Sequence, residues 1–287
     1  MTVTNRERPR IGDRGFGSKD LGAPRMSVVL PVYNGASFLA SAVQSILAQT
    51  FADLELLVID DGSTDASGTI AASFGDPRVR VLRNDRNEGI VASLNRGLAE
   101  ARGAYVCRMD ADDVSLPERL ERQAAALDAE PALALLGTGT VLIDSAGREI
   151  GREVFPSSAE AIRREIFRRN PFAHSTVALR RSAVAACGPY SNVFPHNEDY
   201  DLWLRITARF DAGNLPEPLV KRRIHAASVS AVHGRALRAN RARLLLHAAR
   251  HYYRRPILAI FAVRALAAYA LDAAGLRRGK RAPQLAG

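Results

Sequence analysis

The hydrophobic pattern becomes legible at Met26. "MSVVLPVYN" is an apolar run that stops at Pro31 and turns polar, which predicts a buried strand running into a loop. "SFLASAVQSILAQT" places apolar residues at helical spacing, with Ser37 as the expected cap. "LELLVIDDGSTD" predicts a second buried strand whose polar residues begin where the strand stops. Residues 65–74 read as a helix, and "RVRVLRN" as a third strand with period-two alternation. "GIVASLNRGLAEARG" predicts a helix closed by Gly103, and "AYVCRMD" a fourth strand. Further on, "HNEDYDLWLRI" reads as a helix start, with Asn197 as cap and Leu202, Trp203 and Ile206 toward the core. Strands alternating with helices define an α/β fold, a Rossmann-like, mostly parallel sheet with helices on both faces.

In such sheets ligands sit beyond the carboxyl ends of the strands. The polar clusters fall there: Tyr33 and Asn34, then Asp60 and Asp61, then Asp110 to Asp113. The last cluster, in "YVCRMDADDVSLPERL", sets three carboxylates within four residues. Two readings compete. Acidic residues after a strand can solvate a turn or cap the next helix, and Ser115, Pro117 and Glu118 resemble a helix start. Alternatively, hard oxygen ligands at i and i+2 share a divalent cation, Mg²⁺ or Mn²⁺. Convergence of three distant segments favours a nucleotide site with a metal. No GxxxxGK[ST] loop occurs and no GxGxxG follows the first strand, which argues against a P-loop NTPase and a dinucleotide site.

"VVLPVYNGASFLASAVQSILAQTF", "ELLVIDDGSTD", "NEGIVASLNRGLAEARGAYVCRMDADD" and "NEDYDLWLRI" occur in the order found in family 2 glycosyltransferases. The resemblance spans roughly residues 26–232 and implies the GT-A fold and inverting sugar transfer from a nucleotide-diphosphate sugar. It implies that Pro31, Val32, Tyr33 and Ala111 bind the nucleotide, with the Tyr33 ring on its base, and that Asp61 accepts a base N–H, favouring UDP or dTDP. Asp110, Ala111 and Asp112 match the DXD motif, with Asp110 and Asp112 as metal ligands for Mn²⁺ or Mg²⁺. Asp113 is then either a partner behind them or a helix cap. Asp199 matches the catalytic base and Glu198 its neighbour. In "KRRIHAASVS", His225 matches a position that completes the metal shell, and Arg223 is placed to pair with the diphosphate. His174 and Trp203 fall on the acceptor side, where structural roles compete. The resemblance implies a glycan or lipid-linked acceptor. It divides the chain into a nucleotide-sugar half, 26–134, and an acceptor half with the base, 135–235.

Charge adds a further feature. The formal net charge is +10, yet residues 235–287 hold eleven Arg and one Lys against Asp272 alone. Residues 1–25 form a second basic stretch, rich in Gly, Pro and charge, expected to be mobile. The middle is net acidic and does not read as a nucleic-acid surface. Residues 236–287 predict a basic, amphipathic helical tail. Its run "ILAIFAVRALAAYAL" is short for a transmembrane helix and contains Arg264. The tail is therefore expected to pack on the enzyme, to lie on the inner face of an anionic membrane, or to make an oligomer contact. Every candidate site residue precedes Ser230, so the chemistry is expected not to need it. The polar, Arg-rich N-terminus reads as no signal peptide, and two cysteines, Cys107 and Cys187, imply no disulfide framework; a cytoplasmic location is expected. Two other classes compete. "MDADDV" fits the DxDx[TV] signature of a haloacid-dehalogenase-type phosphatase, although it follows the fourth strand instead of the first. A non-catalytic sugar-nucleotide-binding protein would keep the same fold.

Overall fold

The computed structural model describes residues 22–225 and 234–273. Most of the basic N-terminal stretch and the last residues of the tail lie outside the described residues. The four expected strands form as β1 (Met26–Val32), β2 (Leu54–Asp60), β3 (Val79–Arg83) and β4 (Tyr105–Arg108), paired in parallel in the order β3-β2-β1-β4. Strands β1, β2 and β4 are buried at every residue, which is why their sequences are apolar throughout. The edge strand β3 is only partly covered, and its sequence alternates. Helices α1 (Ala36–Leu47), α2 (Ser67–Ala72) and α3 (Ile90–Glu100) connect them, and α4 (Arg119–Ala129) follows β4 and the short β5 (Val114–Ser115).

The helix ends differ from expectation. Ser37 lies inside the first turn of α1, and Gly35 is the cap. The amides of Gly35 and Ala36 donate to Ser67 Oγ at 2.9 Å and Asp65 Oδ2 at 3.0 Å, so the helix start is satisfied by another loop. Helix α3 ends without Gly103. The Gly103 amide donates to Ser27 Oγ at 2.8 Å, and a Cβ there would meet the Ser27 nitrogen at 2.7 Å; the glycine permits close approach to β1. Ser115 belongs to β5 and does not begin α4.

The sheet continues through the second half as β4-β8-β6-β9-β5, with β7 pairing the end of β6 along the edge that β8 also uses. These strands are β6 (Leu133–Ile143), β7 (Glu149–Glu153), β8 (Ala178–Arg180) and β9 (Asp211–Arg223). The boundary expected at 134/135 falls inside β6, so one sheet serves both halves. The long registers, β1 with β2 and β6 with β9, are parallel, and the antiparallel pairs are short. Helices α5 (Ala159–Glu165), α6 (Arg181–Cys187) and α7 (Glu198–Thr207) surround this half. The chain then forms α8 (Gly234–His247), a π-helical turn at Ala248–Tyr252, and α9 (Ala259–Ala273).

Two apolar cores lie on the two faces of the sheet. One joins Leu39, Ile46, Leu56, Met109 and Leu120; the other joins Leu94, Val106, Leu202, Trp203 and Ile206. Leu244, Leu245, Ala248, Ala249 and Ala262 are buried in the second core. The C-terminal segment is thus part of the globule and not an appended tail. Cys107 is buried and Cys187 half-buried, both as free thiols. Among the described residues, no helix is long and apolar enough to cross a membrane.

Candidate active site

The loops after β1 and β2 hold one another. Asn34, left-handed at φ 50°, accepts the Thr64 amide on its side-chain oxygen at 2.9 Å, and its own amide donates to Ser63 Oγ at 3.0 Å. This lock presents Tyr33, half exposed, to the cavity. An exposed aromatic ring fixed by its backbone can stack on a base at low entropic cost. Asp61 is buried. It accepts from Asn84 Nδ2 at 2.7 Å and from the amides of Glu88 at 3.0 Å and Gly89 at 2.9 Å. A carboxylate has about four acceptor sites, so one remains for a base N–H. The turn between the loops needs Gly62 at φ 70°, where a Cβ would meet the Arg86 backbone at 2.5 Å.

Strand β4 delivers the acidic cluster. The Asp113 amide closes a turn onto the Asp110 carbonyl, and Asp110, Asp112 and Asp113 each place an oxygen within 4.8 Å of the others. Asp113 caps no helix. It is 1% exposed, and its Oδ1 accepts the Arg223 amide at 2.7 Å while its Oδ2 has no hydrogen-bond partner. Burial, then the charges of Asp110 and Asp112, push its pKa up to about 8. Asp112 is raised as well, by burial and then by Asp110, and His225 opposes the rise with Nε2 2.8 Å from Asp112 Oδ2. Carboxylate oxygens beside an imidazole suit Mn²⁺ or Mg²⁺. The repulsion and the orphaned Asp113 oxygen are what a cation would relieve, so the residues present fit the expected metal.

Arg108 went unnoticed in the sequence reading. It is 6% exposed, lines the cavity, and pairs through Nη1 with Asp110, while its Nε has no hydrogen-bond partner. Its charge also reaches Asp113, His174, Tyr190, Glu198 and Asp199. One buried cation therefore stands between the Asp110–Asp113 cluster and the Glu198/Asp199 pair. The signal was a lone arginine inside the apolar run "YVCRMD", just before the carboxylates.

The facing wall is the start of α7. Asn197 precedes the helix but makes no side-chain cap; its Nδ2 donates to the Leu237 carbonyl at 3.2 Å. Glu198 and Asp199 occupy the first turn, where the helix dipole favours negative charge. Asn170 Nδ2 donates to Asp199 Oδ2 at 2.9 Å and fixes the carboxylate. Burial, then Glu198, push the Asp199 pKa to about 7, and burial raises Glu198. A carboxylate with that pKa can accept a hydroxyl proton near neutral pH. Asn170 carried no signal in the sequence.

A single cavity of about 1060 Å³ is lined by Pro31, Val32, Tyr33, Asp61, Asp110, Asp112, His174, Glu198, Asp199, Arg223 and His225. Two expectations need correction. Trp203 is 0% exposed and belongs to the core; its ring supports His174 edge-on at 5.7 Å and touches no acceptor space. Ala111 packs against the first core and does not line the cavity. Arg223 reaches the cavity wall, but its Nε and Nη1 donate to the carbonyls of Asp112, Asp144 and Ser145, and its guanidinium lies 4.4 Å over Phe38. These contacts brace the loop of Asp110 to Asp113. His174 hydrogen-bonds Tyr190 at 2.9 Å and is neutral, its pKa held well below the usual value by burial and then Arg108. Leu237, Arg238 and Arg241 of α8 also line the cavity, so its wall extends past Ser230.

Comparison with known proteins accords with this geometry. The family model for glycosyl transferase family 2 matches residues 27–188. The chain belongs to that family. EpsE of Bacillus subtilis strain 168, whose name assigns it by inference as a glycosyltransferase, is 36% identical over 204 residues, 69% of this chain and 72% of EpsE. The amylovoran biosynthesis glycosyltransferase AmsE of Erwinia amylovora is 32% identical over 201 residues, 68% of this chain and 74% of AmsE. Among solved structures, S. aureus TarS 1–349 in complex with UDP matches with a TM-score of 0.62 at 19% identity, over 88% of this chain and 73% of that one. The mannosyltransferase PcManGT of Pyrobaculum calidifontis, in complex with GDP-Man and Mn²⁺, matches with a TM-score of 0.57 at 20% identity, over 90% of this chain and 77% of that one. The fold is the GT-A type and the chain is a family 2 glycosyltransferase. The phosphatase and non-catalytic readings gain no support from these matches.

Proposed function

We propose that the enzyme is an inverting, metal-dependent glycosyltransferase using a UDP- or dTDP-linked sugar, with a hydroxyl of a glycan or lipid-linked acceptor as nucleophile. The observation that carries this reading is the opposition, across one cavity, of a carboxylate with pKa near 7 and a three-carboxylate cluster at the sheet's carboxyl edge. Tyr33 stacks on the base, and the free acceptor site of Asp61 takes its N–H. Asp110 and Asp112, with Asp113 and His225 beside them, would hold Mn²⁺ or Mg²⁺. When bound, the ion supplies positive charge against the diphosphate that develops as the sugar leaves.

The chain's own residues do the rest. Asp199 takes the proton of the acceptor hydroxyl as that oxygen bonds to the anomeric carbon. The bond from that carbon to the diphosphate oxygen breaks on the opposite face, so configuration inverts and the proton remains on Asp199. Asn170 keeps the carboxylate aimed, and Arg108 favours its ionised form. The cited relatives concern UDP, GDP-Man and amylovoran, which supports a nucleotide-sugar donor and a glycan-building role without fixing either. The C-terminal helices would attach the enzyme peripherally to the inner face of a membrane, where a lipid-linked acceptor resides. Incubation with a panel of sugar nucleotides and Mn²⁺ tests the reaction. One donor should release nucleoside diphosphate, EDTA should abolish release, and excess Mn²⁺ should restore it. Equal release in EDTA would remove the metal role; no release from any donor with a range of acceptors would remove the transferase reading.

A further inference from the structure

We infer that the outward face of α9 is a docking surface for an anionic lipid bilayer. Ile257 is 76% exposed, Ile260 53%, Val263 66% and Leu266 57%, at intervals of three residues along the helix and the turn that enters it. Phe261 and Ala262 occupy the other side, with the Phe261 ring 6.1 Å from Phe167 and Ala262 buried. The helix is therefore apolar on both faces, and among the described residues only one is covered. A contiguous exposed apolar face on a soluble surface marks an interaction site.

Charge identifies the occupant. Arg250, Arg254, Arg255 and Arg264 are exposed beside the apolar stripe. From Pro218 to Leu271 the sequence holds no Asp or Glu. A surface both apolar and cationic, with no acid to neutralise it, matches the boundary between anionic headgroups and acyl chains. A second copy of the chain would set one arginine array against another, which like-charge repulsion opposes. The location has a consequence for the cavity. Helix α8 packs on α9 and lends Leu237, Arg238 and Arg241 to the cavity wall. Docking through α9 would hold that wall near the bilayer, where a lipid-linked hydroxyl could enter. This consequence rests on the transferase reading; the docking itself does not.

The test is flotation of the full chain with phosphatidylcholine vesicles, with and without phosphatidylglycerol, at low and high salt. It uses no donor and no acceptor, so its outcome is independent of the reaction. The chain should float only with phosphatidylglycerol, and less at high salt. The triple variant Arg254→Gln/Arg255→Gln/Arg264→Gln should bind about a hundredfold more weakly. Ile260→Glu/Val263→Glu should also stay behind, with an unchanged melting temperature because both side chains are exposed. Should the glutamate variant fail to fold, the glutamine variant decides alone. Equal flotation of all variants, equal binding to neutral vesicles, or no flotation of the parent chain would overturn the proposal. So would a dimer in light scattering that Ile260→Glu/Val263→Glu converts to monomer.

Discussion

At the scale of single residues, the site depends on how one arginine divides its charge. Arg108 offsets Asp110 on one side and stabilises the ionised forms of Glu198 and Asp199 on the other. In the proposed mechanism Asp199 acts deprotonated, so turnover should rise with pH through about 7. Its effect on stability has the opposite sign. A carboxyl whose folded pKa exceeds its unfolded value near 3.8 favours folding while protonated, and that contribution fades as pH rises toward 7. Asp199→Asn should bind donor normally and lose about 10²–10⁴ in turnover, with the acid limb gone. Arg108→Gln should move the acid limb to higher pH, and Arg108→Lys should move it less. A pH–rate profile that Arg108→Gln leaves in place would show that the guanidinium does not act on the base. The motifs singled out Tyr33, Asp61, Asp110, Asp112, Asp199 and His225, and one cavity is lined by all six; all but Asp199, which opens α7, follow strand ends. The sequence left Trp203 open between core and acceptor wall, because spacing along a helix gives direction but not depth. Trp203 lies one helical turn beyond Asp199, yet it faces the core.

At the scale of elements, the first half was legible throughout, whereas in the second only the helices at α7, α8 and α9 were. Strands β1, β2 and β4 are local apolar runs, each covered on both faces, and β3 alternates as a half-covered edge, so local pattern alone marks them. The second half is organised by β6, whose partners β7, β8 and β9 come from segments up to about eighty residues away, and no local period encodes such pairing. Helix caps failed for the same reason: the amides at the start of α1 are satisfied by Asp65 and Ser67, which belong to the loop after β2. That interlocking makes the turn at Gly62 a point of leverage. A side chain there meets both the left-handed backbone penalty and the Arg86 backbone. Gly62→Ala should cost about 1–3 kcal/mol of stability and displace Asp61 from the cavity. Nucleotide affinity should fall with it, measurable by calorimetry beside a thermal melt. An unchanged affinity would show that Asp61 does not read the base.

At the scale of the molecule, the C-terminal segment changes meaning between sequence and structure. Its basic, interrupted apolar pattern looks separable, and a chain ending at residue 235 would keep nearly every motif residue. The fold does not support that division. Leu244 and Leu245 are fully buried in the core that α7 shares, and complete burial of a leucine stabilises by about 1.5–3 kcal/mol. Tyr252 donates its hydroxyl to Asp201 at 2.7 Å, and the Tyr253 hydroxyl lies 2.7 Å from Thr207 Oγ1. Both contacts hold the helix that carries Asp199. The two leucines alone amount to about 3–6 kcal/mol, a large share of the 5–15 kcal/mol typical of a whole domain. A chain ending at 235 should therefore melt about 10 °C or more below the full chain, or lose cooperative unfolding, in a circular-dichroism scan. It should also lose turnover even with a soluble acceptor, because α7 is no longer braced. A truncated chain that melts with the parent and releases nucleotide at the parent rate would show that α8 and α9 leave the globule in solution. The apolar inner face of α9 would then be available to the membrane together with its outer one.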